Sequence, residues 1–334
     1  MSNKKNAVIE QLTPEMEAAI PKYINKWIKI GTNTDRLDYD RTLDVVNDVQ
    51  EHLLARPRTP VVIFDNPVEA WIACNYAYTH KVKVNDLHKK VDEYFSGNTI
   101  PLVPFTMPHL TGSFDVSIFS FYDFFRTELK VNLGEENEIY NKRYEIWQAT
   151  TELGLIFPLL DMCIVSQKPT KIGLNEENLA HCDGGPAIEY AGRADGPQGK
   201  DGLKLFILNN TRVPEWLATT PSHEIDIARY KEIDNADIKM EFVRKVGVER
   251  MLDMGSKVDD YTKYKTEQWW KKSQYELWDM HALYPGVRYA PHLKMLNQTT
   301  GVWHVHAVAP TCRTLKDALK FYFDDKEVDL KGIA

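Results

Sequence analysis

Apolar residues recur at three- and four-residue spacing through most of the N-terminal half of the chain. That spacing is typical of amphipathic helices with one buried face. The first helix is predicted to begin at Thr13-Pro14 and to end at Gly31, because threonine caps helix N-termini, proline suits the first turn and glycine favours termination. Further helices are predicted over residues 39–55, 67–78, 85–95, 113–125 and 140–153.

Strand signals are sparse in this half and dense after Cys163. One short apolar run, Val61–Phe64, lies between proline residues and predicts a buried strand followed by a helix. From Cys163 onward, short β-rich runs alternate with asparagine, glycine and aspartate. The runs are 163–165, 170–172, 186–190 and 203–208. They predict an antiparallel β-meander core from about residue 160 to residue 210.

The C-terminal part predicts a helix from Asn235 to Gly247, a hairpin that pairs 293–296 with 302–308, and a last helix after Thr314. The fold class is therefore α+β, with a helical N-terminal half, a meander core, and a C-terminal helix, hairpin and final helix. We divide the chain into a mainly helical region, 1–112, and an α+β region with the antiparallel sheet, 113–334. The pattern leaves open whether the two form one continuous domain.

An aromatic-rich stripe is the strongest local pattern in the predicted helix 113–125. Phe114, Ile118, Phe121, Tyr122 and Phe125 recur at spacings of three and four residues. Aromatic residues at helical spacing are more often packed in a core than used to bind a ligand. We therefore predict that this stripe is buried.

Composition and charge exclude several classes of protein. With 43% hydrophobic and 27% charged residues the chain has the composition of a globular protein. A net charge of −7 opposes binding of the whole chain to a polyanion. No apolar run approaches the length of a membrane span, and no secretion signal follows Met1, so we expect a cytoplasmic protein without a membrane partner.

Three groups of residues could carry chemistry, and the first lies at the end of a predicted strand. His181 and Asp183 place an imidazole and a carboxylate at a strand-to-turn junction. These are the residue types of general acid–base catalysis, so the pair is the best catalytic candidate. The alternative is a turn in which Asp183 bonds local backbone amides and His181 faces solvent.

The second group is a set of histidines. His304 and His306 would lie on the same face of a strand, where two imidazoles could bind one divalent metal. His292 and His281, on neighbouring predicted segments, could complete the site. The alternative is a solvated sheet face that carries polar residues.

The third group interleaves lysine and aromatic residues between 257 and 272. Its candidate nucleic-acid contacts are Lys263, Lys265, Trp269 and Trp270. Rings that stack beside ammonium groups can hold single-stranded nucleic acid without base readout. Packing of an amphipathic segment, with lysine stems lying over apolar surface, is the alternative.

Four motifs follow one another along the chain, at 163–170, His181 with 183–187, 212–216, and 311–314 with 317–318. Taken in that order, they resemble an uncharacterised family of bacterial and phage proteins that is catalogued only as a domain of unknown function. The resemblance implies a compact prokaryotic or viral protein of the cytoplasm, or of the virion if phage-encoded. It implies no reaction, cofactor or ligand.

No convincing catalytic set emerges, and the chain is rich in aromatic packing surface. We therefore predict a non-enzymatic binding or interaction protein whose partner is a protein. A metal-dependent hydrolase that uses the histidine group and a nucleic-acid-associated protein are the alternatives, and the residues identify no cofactor.

Overall fold

The computed structural model describes residues 11–97, 102, 109–131, 134, 137–192, 202–264, 274–284, 286–297 and 300–323. The chain forms two compact units, and it passes between them more than once. The first unit contains residues 1–174 and 187–205, and the second contains 175–186 and 206–334. The boundary predicted after residue 112 lies inside the first unit.

The first unit contains six helices and six short strands among its described residues. The helices are α1 (Pro14–Gly31), α2 (Tyr39–Asp48), α3 (Pro67–His80), α4 (Leu87–Phe95), α5 (Val116–Thr127) and α6 (Glu138–Ala149). The strands are β1 (Val61–Phe64), β2 (Ile156–Pro158), β3 (Cys163–Ser166), β4 (Lys171–Ile172), β5 (Ile188–Glu189) and β6 (Lys204–Leu205). Helices dominate this half, as predicted, and the α+β class is confirmed.

A mixed three-stranded sheet is the centre of this unit. β3 is the middle strand, with β1 parallel to it on one side and β2 antiparallel on the other. The parallel register runs from Val61 opposite Cys163 to Phe64 opposite Ser166. The strand order thus differs from the predicted meander, because a short apolar run does not reveal whether its partner is local or distant.

Helices cover both faces of the mixed sheet. On one face, Phe64 and Ile164 pack in a cluster with Leu87 of α4. On the other face, Val165 packs with Val46 of α2. All five side chains are nearly inaccessible to solvent. This two-sided burial explains why β3 is apolar at three successive positions.

Helix α5 packs against α1 through a different face from the one predicted. The rings of Trp27 and Phe119 stack with centroids 5.1 Å apart, and the Trp27 indole N–H donates to Asp123 at 2.8 Å. Four residues of the predicted aromatic stripe are exposed, namely Phe114, Ile118, Phe121 and Phe125, with Phe121 62% accessible. Tyr122 packs against the cluster of Trp27 and Phe119. The prediction that this stripe is buried is therefore wrong for four of its five residues. Apolar residues occupy both sides of α5, so the spacing alone did not identify the buried side.

The remaining strands of the meander form small separate sheets. β4, β5 and β6 make a three-stranded antiparallel sheet in that order. The predicted strand 203–208 is divided between the units: its first half is β6, and its second half is β7 (Ile207–Leu208) of the second unit. β7 forms a hairpin with β8 (Thr211–Arg212), turning through Asn209 and Asn210 at positive φ.

The second unit adds four longer strands and four helices among its described residues. The strands are β9 (Ser256–Asp260), β10 (Tyr275–Asp279), β11 (Pro291–Leu296) and β12 (Trp303–Ala307). The helices are α7 (Glu215–Thr219), α8 (Ala236–Val246), α9 (Val248–Met251) and α10 (Leu315–Tyr322). The predicted helix starts at Asn235 and Thr314 are confirmed, since both side chains accept backbone N–H groups of the first turn.

β9, β10, β11 and β12 form one antiparallel sheet, ordered as in the chain. The predicted hairpin is confirmed as β11 and β12, whereas β9 and β10 were not predicted. One face packs Leu277 and Leu293 against Leu315 of α10. On the other face, Val305 packs in a cluster that includes Met251 of α9. No helix in the described part of the chain is long and apolar enough to span a membrane.

Candidate functional site

Polar residues of the first unit lie at the carboxyl ends of two parallel strands. Asp65 and Asn66 follow β1 directly, and Gln167 and Lys168 follow β3. The Gln167 N–H donates to the Phe64 carbonyl at 2.7 Å, and this bond holds the ends of β1 and β3 side by side. In α/β units ligands bind at this edge, because loops and helix N-termini converge there.

Two of these four residues hold neighbouring segments in place by accepting backbone N–H groups. Asn66 is the N-cap of α3, and its side-chain oxygen accepts the N–H groups of Val68 and Glu69 at 3.1 and 3.0 Å. The side-chain oxygen of Gln167 accepts the Leu37 N–H at 3.1 Å. Gln167 therefore holds the loop that joins α1 to α2 against the end of β3.

A cavity of about 400 Å³ opens beside this edge. Its walls come from the end of α1, the loop 32–38, the first turn of α2, the short helical turn Thr150–Glu152, and Lys168. A cavity of this size can accommodate a small metabolite. Four cationic side chains line it, namely Lys29, Arg36, Arg41 and Lys168.

Lys168 is a half-buried cation on the wall of this cavity. Its ammonium group donates to the side-chain oxygen of Asn33 at 2.7 Å. No carboxylate in the described part of the chain lies within ion-pair distance of it. Burial lowers the pKa of Lys168, while the charges of Asp35 and Glu152 oppose that effect. A half-buried cation held only by an amide oxygen is costly unless an anion joins it.

The two arginine residues differ in how many of their N–H groups are already bonded to a carboxylate. Arg41 binds Glu152 in a bidentate pair, with both N–O distances at 2.8 Å. Arg36 makes one longer contact, 3.4 Å, to Asp65, and its side chain is 64% exposed. A guanidinium carries five N–H donors, so Arg36 keeps most of them for a ligand.

The carboxylates on the cavity walls already accept hydrogen bonds from other residues of the same walls. Asp38 is the N-cap of α2 and accepts the Arg41 N–H at 2.8 Å. Asp35 accepts an N–H of the Asn33 side chain at 2.7 Å, and Glu152 is held by Arg41. Lys29, Arg36 and Lys168 are therefore the cavity's available charges, and together they favour an anionic ligand.

The predicted catalytic pair lies in the second unit, and the structure does not bring its members together. The Nδ1 atom of His181 accepts the Asn209 backbone N–H at 3.1 Å. Asp183 forms an ion pair with Lys245 at 2.7 Å, and that buried ammonium also donates to the Ala218 carbonyl. Both residues tie the segment 175–186 to the rest of the unit. Their catalytic role stays a prediction.

A second cavity, of about 580 Å³, lies near His181 and is lined by Asn175, Asn209 and Arg244 among others. Three of its polar groups are engaged with one another or with Glu241, and Glu176 and Glu177 add two carboxylates to its wall. The Asn175 amide donates to Asn209 at 3.0 Å, and Asn209 donates to the buried Glu241 at 2.7 Å. Arg244 pairs with the same carboxylate. The uncommitted charges of this cavity are therefore negative and do not favour an anionic ligand, unlike those of the cavity at Lys168.

The predicted metal ligands are divided between the two faces of the C-terminal sheet. His304 and His306 lie opposite Met295 and Leu293 on one face, and their rings are 6.2 Å apart. His292 lies opposite Ala307, the residue after His306. Since side chains alternate between the faces of a sheet, His292 lies on the other face from His304 and His306. Within the described residues no group of three or more histidine, cysteine, aspartate or glutamate side chains could hold a metal ion.

The predicted nucleic-acid segment is described only in part. Lys263 lies in the short helical turn Tyr261–Tyr264 and forms an ion pair with Asp259 at 2.9 Å. Lys265, Trp269 and Trp270 lie outside the described residues. The nucleic-acid role stays a prediction.

Sequence reasoning did not select Lys168, Asn33 or Arg36. The available signal was the run 163–170, the first segment of the family resemblance, in which a buried strand ends directly in Gln167-Lys168. The strand–helix unit that starts at Val61 was also recognised. What the sequence did not reveal is that these two strands are parallel neighbours, which places their carboxyl ends at one edge.

Comparisons with known proteins add no relative. No family model, no curated protein and no solved structure matches the chain.

Proposed function

We propose that this chain is a binding protein whose ligand is a small organic anion, held in the cavity at the carboxyl ends of β1 and β3. The observation that carries the proposal is the half-buried Lys168 ammonium, which has a single amide partner and lines the same cavity as Arg36. Ammonium and guanidinium groups form strong charge-assisted hydrogen bonds with carboxylate and phosphate oxygens. A bound anion would compensate the burial of Lys168.

Replacing Lys168 with methionine is expected to weaken anion binding by about 10- to 100-fold, because one charge-assisted hydrogen bond is worth about 1.5–3 kcal/mol. Lactate, succinate and inorganic phosphate serve as probes in calorimetric titrations at fixed ionic strength. Lys171→Met is the matched control, since this nearby exposed lysine pairs with Glu189 and does not line the cavity. Equal losses in both variants, or wild-type affinity in Lys168→Met, would contradict the proposal.

The fold of the Lys168→Met variant can be checked through its stability. The pKa of Lys168 is lower in the folded chain than in the unfolded chain, so between the two values the unfolded chain binds more protons. Stability from this group therefore rises as the pH rises through the folded pKa, and the ammonium adds no stability at neutral pH. We expect the free energy of unfolding of Lys168→Met to stay within about 1 kcal/mol of wild type.

We infer that a second function, self-association, involves the exposed stripe of Phe114, Ile118, Phe121 and Phe125. Four large apolar side chains exposed so close together are unusual on the surface of a monomer. Phe114 lies in the short helical turn Gly112–Asp115 before α5, and the other three lie on α5 at spacings of three and four residues. That spacing is found in helix–helix seams, which can pair with a second copy across a two-fold axis. A second copy of this chain is therefore the proposed partner at α5.

Phe121→Asp is expected to weaken this self-association by at least about tenfold, because a buried, unpaired carboxylate is strongly unfavourable in an apolar seam. Sedimentation equilibrium over a range of protein concentrations measures the dimer dissociation constant. Leu160→Asp is the control, since Leu160 is 80% exposed and lies outside the stripe. A wild-type chain that stays monomeric throughout the range would exclude the dimer.

A further inference from the structure

We propose that the ligand at this site is a 2-oxo acid, and that Lys168 forms an imine with its carbonyl group. This inference rests on the proposed anion-binding function and names the ligand class of the same cavity. A 2-oxo acid carries a carboxylate and an adjacent carbonyl carbon. The cavity offers one group suited to each, Arg36 for the carboxylate and Lys168 for the carbonyl.

The contacts of Lys168 suit an amine nucleophile better than a structural cation. The buried Lys245, for example, is held by the carboxylate of Asp183 at 2.7 Å. Lys168 instead donates to the neutral Asn33 oxygen at 2.7 Å. That bond orients the amine without the stabilisation of its charged form that a carboxylate would give. Its position two residues after the buried strand β3 fixes the backbone from which the side chain extends.

The charged groups around the amine come from every wall of the cavity. Lys29 lies at the end of α1, Asp35 and Arg36 in the following loop, Asp38 and Arg41 at the start of α2, and Glu152 in the short helical turn. Burial lowers the pKa of Lys168 despite the opposing charges of Asp35 and Glu152. A larger fraction of the amine is therefore neutral, which is the form that attacks a carbonyl carbon.

The reaction is balanced without any redox partner. The nitrogen lone pair of Lys168 forms a C–N bond with the carbonyl carbon, and the carbonyl π electrons move to oxygen. The two protons of the neutral amine leave with that oxygen as water, and a C=N bond remains. Arg36 would pair with the ligand carboxylate throughout, so the ligand stays anchored while the bond forms.

The test is reductive trapping of the full chain with pyruvate and sodium cyanoborohydride, followed by peptide mass mapping. The expected result is one reduced pyruvate adduct, formed at Lys168 faster than at any other lysine, because the cavity binds the ligand carboxylate beside an amine that is neutral more often than an exposed one. Lys168→Arg keeps the positive charge and should lose this adduct. An adduct spread evenly over surface lysine residues would overturn the inference.

Titration with lactate separates the two proposals, because lactate has the carboxylate but lacks the carbonyl group. If wild type and Lys168→Arg bind lactate and pyruvate equally and no adduct forms at Lys168, the imine is excluded and the anion site stands. If neither compound, nor succinate or phosphate, binds to wild type, the anion-binding function itself fails. Tighter binding of pyruvate than of lactate, lost in Lys168→Arg, supports the imine.

Discussion

Replacing Asp259 with asparagine is expected to lower the free energy of unfolding of the second unit by about 2–4 kcal/mol. Asp259 is 5% exposed and lies opposite Leu277, on the sheet face that packs against α10. One carboxylate oxygen accepts the Leu315 N–H at 2.8 Å and the Tyr264 hydroxyl at 2.7 Å. The other is 2.9 Å from the Lys263 ammonium. An amide would turn an N–H group toward some of these donors and leave them unsatisfied.

Urea denaturation of the full chain, followed by far-ultraviolet circular dichroism, measures this loss. Asp253→Asn is the matched control, because Asp253 is an exposed aspartate of the same unit. Its effect should remain within about 0.5 kcal/mol. If Asp259→Asn were as stable as this control, the carboxylate would not hold α10 to the sheet.

The same carboxylate predicts a pH dependence. Burial alone would raise the pKa of Asp259, but the hydrogen bonds from the Leu315 amide, Lys263 and Tyr264 outweigh burial and hold the pKa below its usual range. A group with a lowered folded pKa stabilises the fold above its unfolded pKa, and that contribution is lost as the pH falls through the folded value. Below about pH 4, wild type should therefore lose its stability advantage over Asp259→Asn.

Replacing Gly154 with alanine is expected to destabilise the first unit by about 3 kcal/mol and to disturb the site. Gly154 precedes β2, and a Cβ atom there would lie well inside van der Waals distance of the Ser166 carbonyl oxygen. It would also lie 3.0 Å from the Gln167 carbonyl oxygen. These are backbone atoms at the carboxyl end of β3, so the strand end itself would have to move. Lys168 follows directly and would move with it.

Thermal unfolding and lactate titration measure the two consequences of Gly154→Ala. Gly185→Ala is the control, because a Cβ atom at Gly185 would have the Cys182 sulfur, 3.8 Å away, as its nearest neighbour. The control should leave both the unfolding temperature and lactate affinity unchanged. If Gly154→Ala had the wild-type unfolding temperature, the turn before β2 would accommodate the added methyl group without a cost in stability, and the prediction would be wrong.

Local features of the fold were predictable where local chemistry decides them. The helix starts at Thr13, Asn235 and Thr314 follow from side chains that accept backbone N–H groups two or three residues later. The hairpin of β11 and β12 follows from two apolar runs close together in the chain. Each of these signals is contained within about 20 residues.

Features that depend on distant contacts were not predictable. Nothing in the sequence near Val61–Phe64 indicates that this strand pairs with Cys163–Ser166, so the anion site at the edge of the pair could not be predicted. The histidine group shows the same limit. Same-strand alternation correctly placed His304 and His306 together, but only the cross-strand register shows that His292 faces the other way.

The interleaved course of the chain has a consequence for how the protein is made. Residues 187–205, which supply β5 and β6 to the first unit, are synthesised after the segment 175–186 that belongs to the second. A ribosome must therefore release about 30 residues beyond position 174 before the small sheet of the first unit can close, and domains fold as units during synthesis. A fragment that ends at residue 174 would leave β4 without its only neighbour among the described strands, so neither unit can be isolated by one cut.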